Sequence, residues 1–121
     1  MQRARVLIIQ ENRRTVGELN SKFEEQGYET EVALSGEIGL EIIGEREMDI
    51  AVVDHNVSGF EEWELLRQLK SMMPHLPVVL INGPRQRGIS RVARQAGATR
   101  FMREPVNIER VINTVDTVIS P

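Results

Sequence analysis

The fold is decided by residues 49–54, with the sequence DIAVVD, and by residues 55–59, HNVSG, which follow them. Four apolar residues in a row, with β-branched ones among them, predict a strand that is buried on both faces. Packing does not require a carboxylate at the carboxyl end of such a strand. Ligands of open α/β sheets lie outside the carboxyl ends of the strands, so Asp54 is the candidate functional centre.

The composition sets the outer limits. A chain of 121 residues, 40% hydrophobic and 27% charged, is typical of one globular domain, and we expect residues 1–121 to form it. The absence of cysteine excludes disulfides and thiol catalysis, and two histidines are too few for a histidine-rich metal site. No apolar run approaches the ~20 residues of a membrane span and no signal peptide is apparent, so we expect a cytoplasmic protein without a membrane partner.

The sequence predicts five strands of two kinds. Three are continuous apolar runs that suit burial on both faces, namely residues 6–9, 50–53 and 78–81. Two are mixed runs that suit the edges of a sheet, namely residues 28–33 and 99–103.

A helix is predicted after each strand. The second helix starts at Ser35 and carries Ile38, Ile42 and Ile43, and its three glycines should weaken it. The third helix is expected over residues 60–73, and the fourth is expected to carry Ile89, Val92, Ala93 and Ala96.

This alternation predicts a parallel sheet with helices on both faces. Right-handed crossovers and two edge strands give the order 2-1-3-4-5, an α/β, doubly wound, flavodoxin-like (βα)5 three-layer sandwich. The strand order reverses between strands one and three, which places Glu11 next to Asp54. Asn82 and Glu104, after strands four and five, complete this rim.

The order and spacing of these motifs resemble a known family. Glu11 follows strand one, Asp54 ends strand three, Gly59 comes five residues later, Asn82 follows strand four and residues 103–105 form an Arg-Glu-Pro turn. The chain is similar in these respects, from the first strand to the last helix, to the CheY-like response-regulator receiver domains of bacterial two-component signalling.

The resemblance implies roles for particular residues. Asp54 would accept a phosphoryl group from a histidine kinase in a phosphorelay. Glu11, Asp54 and the backbone carbonyl of Asn56 would hold Mg²⁺, and Phe101 would occupy the position of the aromatic switch. No enzyme activity is implied beyond self-phosphorylation from a phosphodonor.

Four departures from the family pattern make this an atypical receiver. Gln10 replaces the first of two acids, Asn82 replaces a serine or threonine, Glu104 replaces a lysine and Ser58 replaces a proline. Glu104 and Asn82 favour the alternative of a pseudo-receiver, a protein-interaction module that works without phosphorylation.

The change from lysine to Glu104 reverses a charge where phosphate would bind. At ~4 Å and an effective dielectric of ~20, each unit of charge contributes on the order of 4 kcal/mol before screening. We therefore expect phosphorylation to be slow or absent. The clustered carboxylates should favour a divalent cation, and we expect weak binding of Mg²⁺. Asn82 can still donate a hydrogen bond, and Arg85 or Arg87 could replace the lysine, since arginine grips phosphate bidentately.

Charge is unevenly placed along the chain. Residues 24–64 hold thirteen acids and one base, whereas residues 65–110 hold nine bases and two acids. The resemblance implies that the face of the fourth helix, fifth strand and fifth helix meets partners or a second copy in a homodimer. The exposed charges expected there are Arg87, Arg91, Arg94 and Arg100. Aromatics are scarce and no helix-turn-helix is apparent, so nucleic-acid binding is disfavoured.

Overall fold

The computed structural model describes residues 3–120, and in this part of the chain five strands alternate with five helices. The strands are β1 (Arg5–Ile9), β2 (Glu29–Ala33), β3 (Ile50–Asp54), β4 (Val78–Gly83) and β5 (Arg100–Arg103). The helices are α1 (Arg13–Glu25), α2 (Gly36–Glu45), α3 (Glu64–Met72), α4 (Ile89–Ala96) and α5 (Ile108–Ile119). All strand pairs are parallel and the order is β2-β1-β3-β4-β5, which confirms the predicted doubly wound sheet.

The three apolar runs form the centre of the sheet, as their composition predicts. Ile8 of β1 is paired with Val52, and Val53 is paired with Leu80 of β4. Ile8 is fully buried, and Val53 and Leu80 are 2% and 3% exposed. A strand with helices on both faces needs apolar residues at every position, and this explains why these runs do not alternate.

Each face of the sheet carries its own apolar core. The core under α1 and α5 includes Leu19, Phe23, Val111, Ile112 and Val115. The core under α2, α3 and α4 includes Ile43, Leu65, Leu66, Leu69 and Ala93. No helix within residues 3–120 is both long enough and apolar enough to cross a membrane.

The predicted start of the third helix was wrong. The helix begins at Glu64 rather than at residue 60, and the chain before it forms turns. Gly59 and Trp63 have φ angles of 88° and 70°, in the left-handed region. Because a right-handed helix cannot continue through such residues, the segment between them stays outside α3.

The apolar residues that the sequence predicts for α2 are not all buried. Ile38 is 44% exposed, while Gly36, Gly39 and Ile43 are buried. A Cβ atom added at Gly39 would lie 2.4 Å from Cδ1 of Ile9 on β1, so the glycine allows the helix to approach the strand closely. Gly36 and Gly39 are therefore packing residues, whereas Gly44 is exposed.

The apolar residues predicted for α4 are not all buried either. Ile89 and Ala93 are the buried residues of that helix, and Val92 is 40% exposed. A helix of eight residues covers the sheet with only one narrow stripe, and Val92 lies outside it.

The close approach at Gly39 gives a stability prediction. We expect Gly39→Ala to lower the free energy of unfolding by about 1–3 kcal/mol, because the new methyl group overpacks the contact with Ile9. Gly17 on the exposed side of α1 has no atom within 4 Å of its added Cβ, so Gly17→Ala should raise stability by up to ~1 kcal/mol. Urea unfolding of both variants measures this contrast. Equal effects of the two substitutions would contradict the packing role of Gly39.

Candidate functional site

The candidate site lies at the carboxyl edge of the sheet. Gln10 and Glu11 follow β1, Asp54 ends β3, Asn82 lies near the end of β4 and Glu104 follows β5. Parallel strands all end at the same edge, so these polar residues are brought to one side of the molecule. Among residues 3–120, the polar or charged side chains that are buried are those of Gln10 and Asp54.

Three donors hold the carboxylate of Asp54, which is 7% exposed. The side-chain amide of Gln10 donates to Oδ2 at 2.5 Å, and the amide of Asn82 donates to the same oxygen at 3.0 Å. The backbone N–H of Asn56 donates to Oδ1 at 2.7 Å. The donors are all neutral, so the negative charge of Asp54 is hydrogen-bonded without a cation among them.

Gln10 was predicted only as a departure from the family pattern, and its contact with Asp54 was not predicted. It is 3% exposed, and its Oε1 accepts from the backbone N–H of Asn12 at 2.9 Å. That bond fixes which end of the amide faces Asp54, since the oxygen is already engaged. The sequence offered one signal. Gln10 directly follows a strand that is buried on both faces, so its side chain can point into the molecule.

Glu11 lies at the same edge but contacts a different residue. Its Oε1 accepts from the backbone N–H of Ser58 at 3.1 Å, and its Oε2 accepts from the Ser58 hydroxyl at 2.5 Å. Glu11 therefore ties the loop after β1 to the loop after β3. The side chain that directly contacts Asp54 from the β1 end is Gln10.

Asn82 joins the ends of β3 and β4. Its φ angle is 58°, in the left-handed region that asparagine tolerates better than most residues. Its amide donates to Asp54, and its backbone carbonyl accepts from the side chain of Asn56 at 3.3 Å. The amide thus contacts the carboxylate at the position where a hydroxyl was expected from the resemblance.

Glu104 is exposed, and its backbone rather than its side chain is hydrogen-bonded. Its N–H donates to the carbonyl of Gly83 at 2.9 Å, and its carbonyl accepts from Nε of Arg85 at 2.8 Å. In the part of the chain that the structure describes, Asp54 Oδ1 and Oδ2 accept from Gln10, Asn56 and Asn82, and not from Arg85. Arg85, one of the two arginines considered as a replacement for the lysine, is therefore hydrogen-bonded at the end of β5.

Phe101 lies half-buried on β5, next to the end of β4. A Cβ atom added at Gly83 would lie 2.0 Å from Cζ of the Phe101 ring, so the ring occupies the space that any larger residue would need. Gly83 follows Asn82 directly. A short chain of contacts therefore connects the Asp54 carboxylate to the aromatic ring.

The four arginines expected on the partner face are all exposed. Arg87 precedes α4, Arg91 and Arg94 lie on that helix, and Arg100 begins β5.

The comparisons with known proteins identify relatives. The family model described as "Response regulator receiver domain" matches residues 6–116. The heme response regulator HssR of Staphylococcus epidermidis is 24% identical over 113 residues, which cover 93% of this chain but 50% of that protein. The polar-differentiation response regulator DivK of Brucella ovis is 26% identical over 117 residues, covering 94% of both chains. The crystal structure of a CheY-like receiver domain protein from Methanospirillum hungatei superposes with a TM-score of 0.89 at 23% identity, covering 98% of this chain and 94% of the other.

The contact between Gln10 and Asp54 gives a thermodynamic prediction. Gln10→Met removes a donor to a buried carboxylate at similar volume, and we expect it to lower the free energy of unfolding by about 1.5–3 kcal/mol. In the Asp54→Asn background the same change should be smaller, because no charge is left to stabilise. Urea unfolding of the four proteins gives the coupling energy, in which the separate loss of the Asn12 contact cancels. A coupling energy near zero would show that this hydrogen bond does not stabilise the protein.

Proposed function

The chain belongs to the response regulator receiver domain family and is a receiver domain of two-component signal transduction, and on that premise we propose that Asp54 is its phosphoacceptor. The observation that supports this most is the buried carboxylate itself. Asp54 ends the central strand of a doubly wound sheet at the point where the strand order reverses, with its hydrogen-bond donors around it. Burial of a charge at that position is costly and serves no packing purpose.

The proposed reaction is a phosphoryl transfer from a phosphohistidine of a kinase. A carboxylate oxygen of Asp54 attacks the phosphorus, the phosphorus–nitrogen bond breaks, and the electron pair leaves with the imidazole. The product is an acyl phosphate on Asp54. The amides of Gln10 and Asn82 are the groups that would donate to oxygens in this site, whereas Glu104 adds negative charge near the rim and should slow the transfer.

The oxygen donors at the edge fit a weak magnesium site. The carboxylates of Glu11 and Asp54 and the carbonyl of Asn56 are hard ligands, and Mg²⁺ commonly fills its other positions with water. Within residues 3–120 there is no group of three or more carboxylate, histidine or cysteine side chains that could bind a metal. Bound at these oxygens, Mg²⁺ would neutralise negative charge on the phosphoryl group.

A specific observation favours the second candidate, a pseudo-receiver. The carboxylate of Asp54 already accepts three hydrogen bonds from neutral groups, and the family's lysine is Glu104. A carboxylate that is satisfied in this way can keep one conformation without chemistry. In that case the domain would bind its partner in a single state.

Receiver domains are in general signalling modules rather than enzymes, and we assign this one no activity beyond its own phosphorylation. We place it in the cytoplasm, as one domain over residues 1–121, with a histidine kinase as its first partner. We assign it no nucleic-acid or membrane partner.

A partner surface is proposed on α4, β5 and α5. Arg87, Arg91 and Arg100 are exposed there, and Val92 adds an apolar side chain that is 40% exposed. A symmetric homodimer through this face would bring like charges together, so an acidic signalling partner fits it better than a second copy does.

The phosphoacceptor is tested by intact mass after incubation with Mg²⁺ and acetyl phosphate. We expect slow addition of one phosphoryl group to the unmodified protein and none to Asp54→Asn. Glu104→Lys combined with Asn82→Thr should label about tenfold faster or more, a change of ~1.4 kcal/mol in the barrier. Glu109→Lys makes the same charge change on α5 and serves as the control, which should leave the rate unchanged.

Two outcomes would contradict this assignment. Labelling of Asp54→Asn at the unmodified rate would exclude Asp54 as the acceptor. Failure of both the unmodified protein and the double variant to gain mass would favour the pseudo-receiver.

Metal binding is tested through the fluorescence of Trp63, whose ring lies 5.0 Å from that of His55, the neighbour of Asp54. We expect Mg²⁺ to quench it weakly and Asp54→Asn to weaken the effect. Gln10→Asp adds a carboxylate beside Asp54 and should lower the Kd for Mg²⁺ about tenfold. Gln68→Asp makes the same change on the exposed side of α3 and should have no effect. An unchanged Kd in Gln10→Asp would exclude a metal at this edge.

The partner surface is tested by the association rate with a histidine kinase of the same organism. The rate should fall as salt rises, and Arg87→Glu with Arg91→Glu should lower it about tenfold at low salt. The matched control reverses Arg13 and Arg14 on α1, which packs on the face of the sheet opposite to α4. Equal losses of association rate in the two charge-reversed pairs would mean that the rate depends on the net charge of the protein and not on this surface.

A further inference from the structure

A cavity of about 420 Å³ opens between α4, β5 and α5, and four arginines line it. Each arginine comes from a different part of the fold: the loop after β4, helix α4, strand β5 and helix α5. They are Arg85, Arg94, Arg103 and Arg110, and we call this cavity the arginine pocket. Its other lining residues include Ser90, Phe101, Val106 and Asn107, and no acidic residue within residues 3–120 lines it.

The charges of the arginine pocket are not neutralised within the part of the chain that the structure describes. Arg5, Arg14 and Arg46 each form a salt bridge with a glutamate, but none of the four pocket arginines forms one. Arg85 donates its Nε to the neutral carbonyl of Glu104. Four like charges around one cavity repel each other, and an anion inside the cavity would relieve that repulsion.

The walls add further groups that suit an anion. Asn107 caps α5, and its side chain accepts from the N–H of Arg110, so the positive end of this helix is part of the pocket lining. Ser90 contributes a hydroxyl group, and the half-buried ring of Phe101 with Val106 contributes an apolar wall. The volume lies within the range of small-molecule sites, roughly 300–1,000 Å³.

We propose that the arginine pocket binds a small ligand that carries a pyrophosphate group, of the nucleoside diphosphate class. Guanidinium groups bind phosphate oxygens bidentately. Four of them match a ligand with several negative charges better than they match a ligand with a single carboxylate. The aromatic ring and the guanidinium planes provide surfaces on which a base can stack. This binding requires no phosphoryl transfer to Asp54 and stands apart from it.

The proposal is tested by calorimetry on the whole chain at fixed ionic strength, with ADP, GDP, inorganic pyrophosphate, adenosine and a glutamate-rich peptide as probes. We expect ADP or GDP to bind more tightly than pyrophosphate, and adenosine not to bind. Pyrophosphate and nucleotides binding equally would support a site for the diphosphate group alone, with no contribution from the base. Binding of the acidic peptide with no binding of any phosphate would overturn the proposal.

Substitutions locate the binding. Arg103→Ala with Arg110→Ala should weaken ADP or pyrophosphate binding about tenfold or more, since each guanidinium makes charge-assisted bonds. Arg87→Ala with Arg91→Ala removes the same charge from exposed positions outside the pocket and should leave the Kd unchanged. All four positions are exposed, so both variants should keep the melting temperature of the unmodified protein. Equal weakening in the two pairs would overturn the pocket in favour of a diffuse basic surface.

Discussion

The buried carboxylate of Asp54 is the constraint on which the carboxyl edge depends. A carboxylate that is 7% exposed must be hydrogen-bonded, because an ionised group without partners costs many kcal/mol in an apolar environment. Its donors come from the end of β1, from the loop after β3 and from β4. The carboxylate therefore joins three neighbouring strand ends, and the left-handed backbone of Asn82 is part of the geometry that places one donor.

The donors to Asp54 are neutral, and this determines the electrostatic balance of the edge. Gln10 and Asn82 satisfy the hydrogen-bonding capacity of Asp54 but leave its charge in place, and Glu104 adds a second negative charge at the rim. A bound cation, or substitution of one of these residues by a basic residue, would offset this negative charge. The same chain places four arginines around a cavity beside Phe101, so positive charge is concentrated next to the site rather than in it.

Much of the fold was predictable because strands buried on both faces must be apolar throughout, and residues 50–53 and 78–81 satisfy that rule. The exposure of Val92 and the turns before Glu64 were not predictable, since they depend on how tightly each helix meets the sheet and on left-handed residues. Asp54 was predictable from its position at a strand end. The role of Gln10 was not predictable. A sequence pattern shows that an acid is missing at this position, but it does not show that Gln10 forms a hydrogen bond with Asp54 instead.

The central claim is that the side-chain amides of Gln10 and Asn82 hold Asp54 and would contact a phosphoryl group placed there. It is tested most directly by NMR of those two amide groups before and after adding beryllium fluoride with Mg²⁺, which mimics a phosphoryl group on an aspartate. The account predicts that both resonances shift, and that neither shifts in Asp54→Asn. Unchanged amide resonances in the unmodified protein, with the mimic bound, would contradict it.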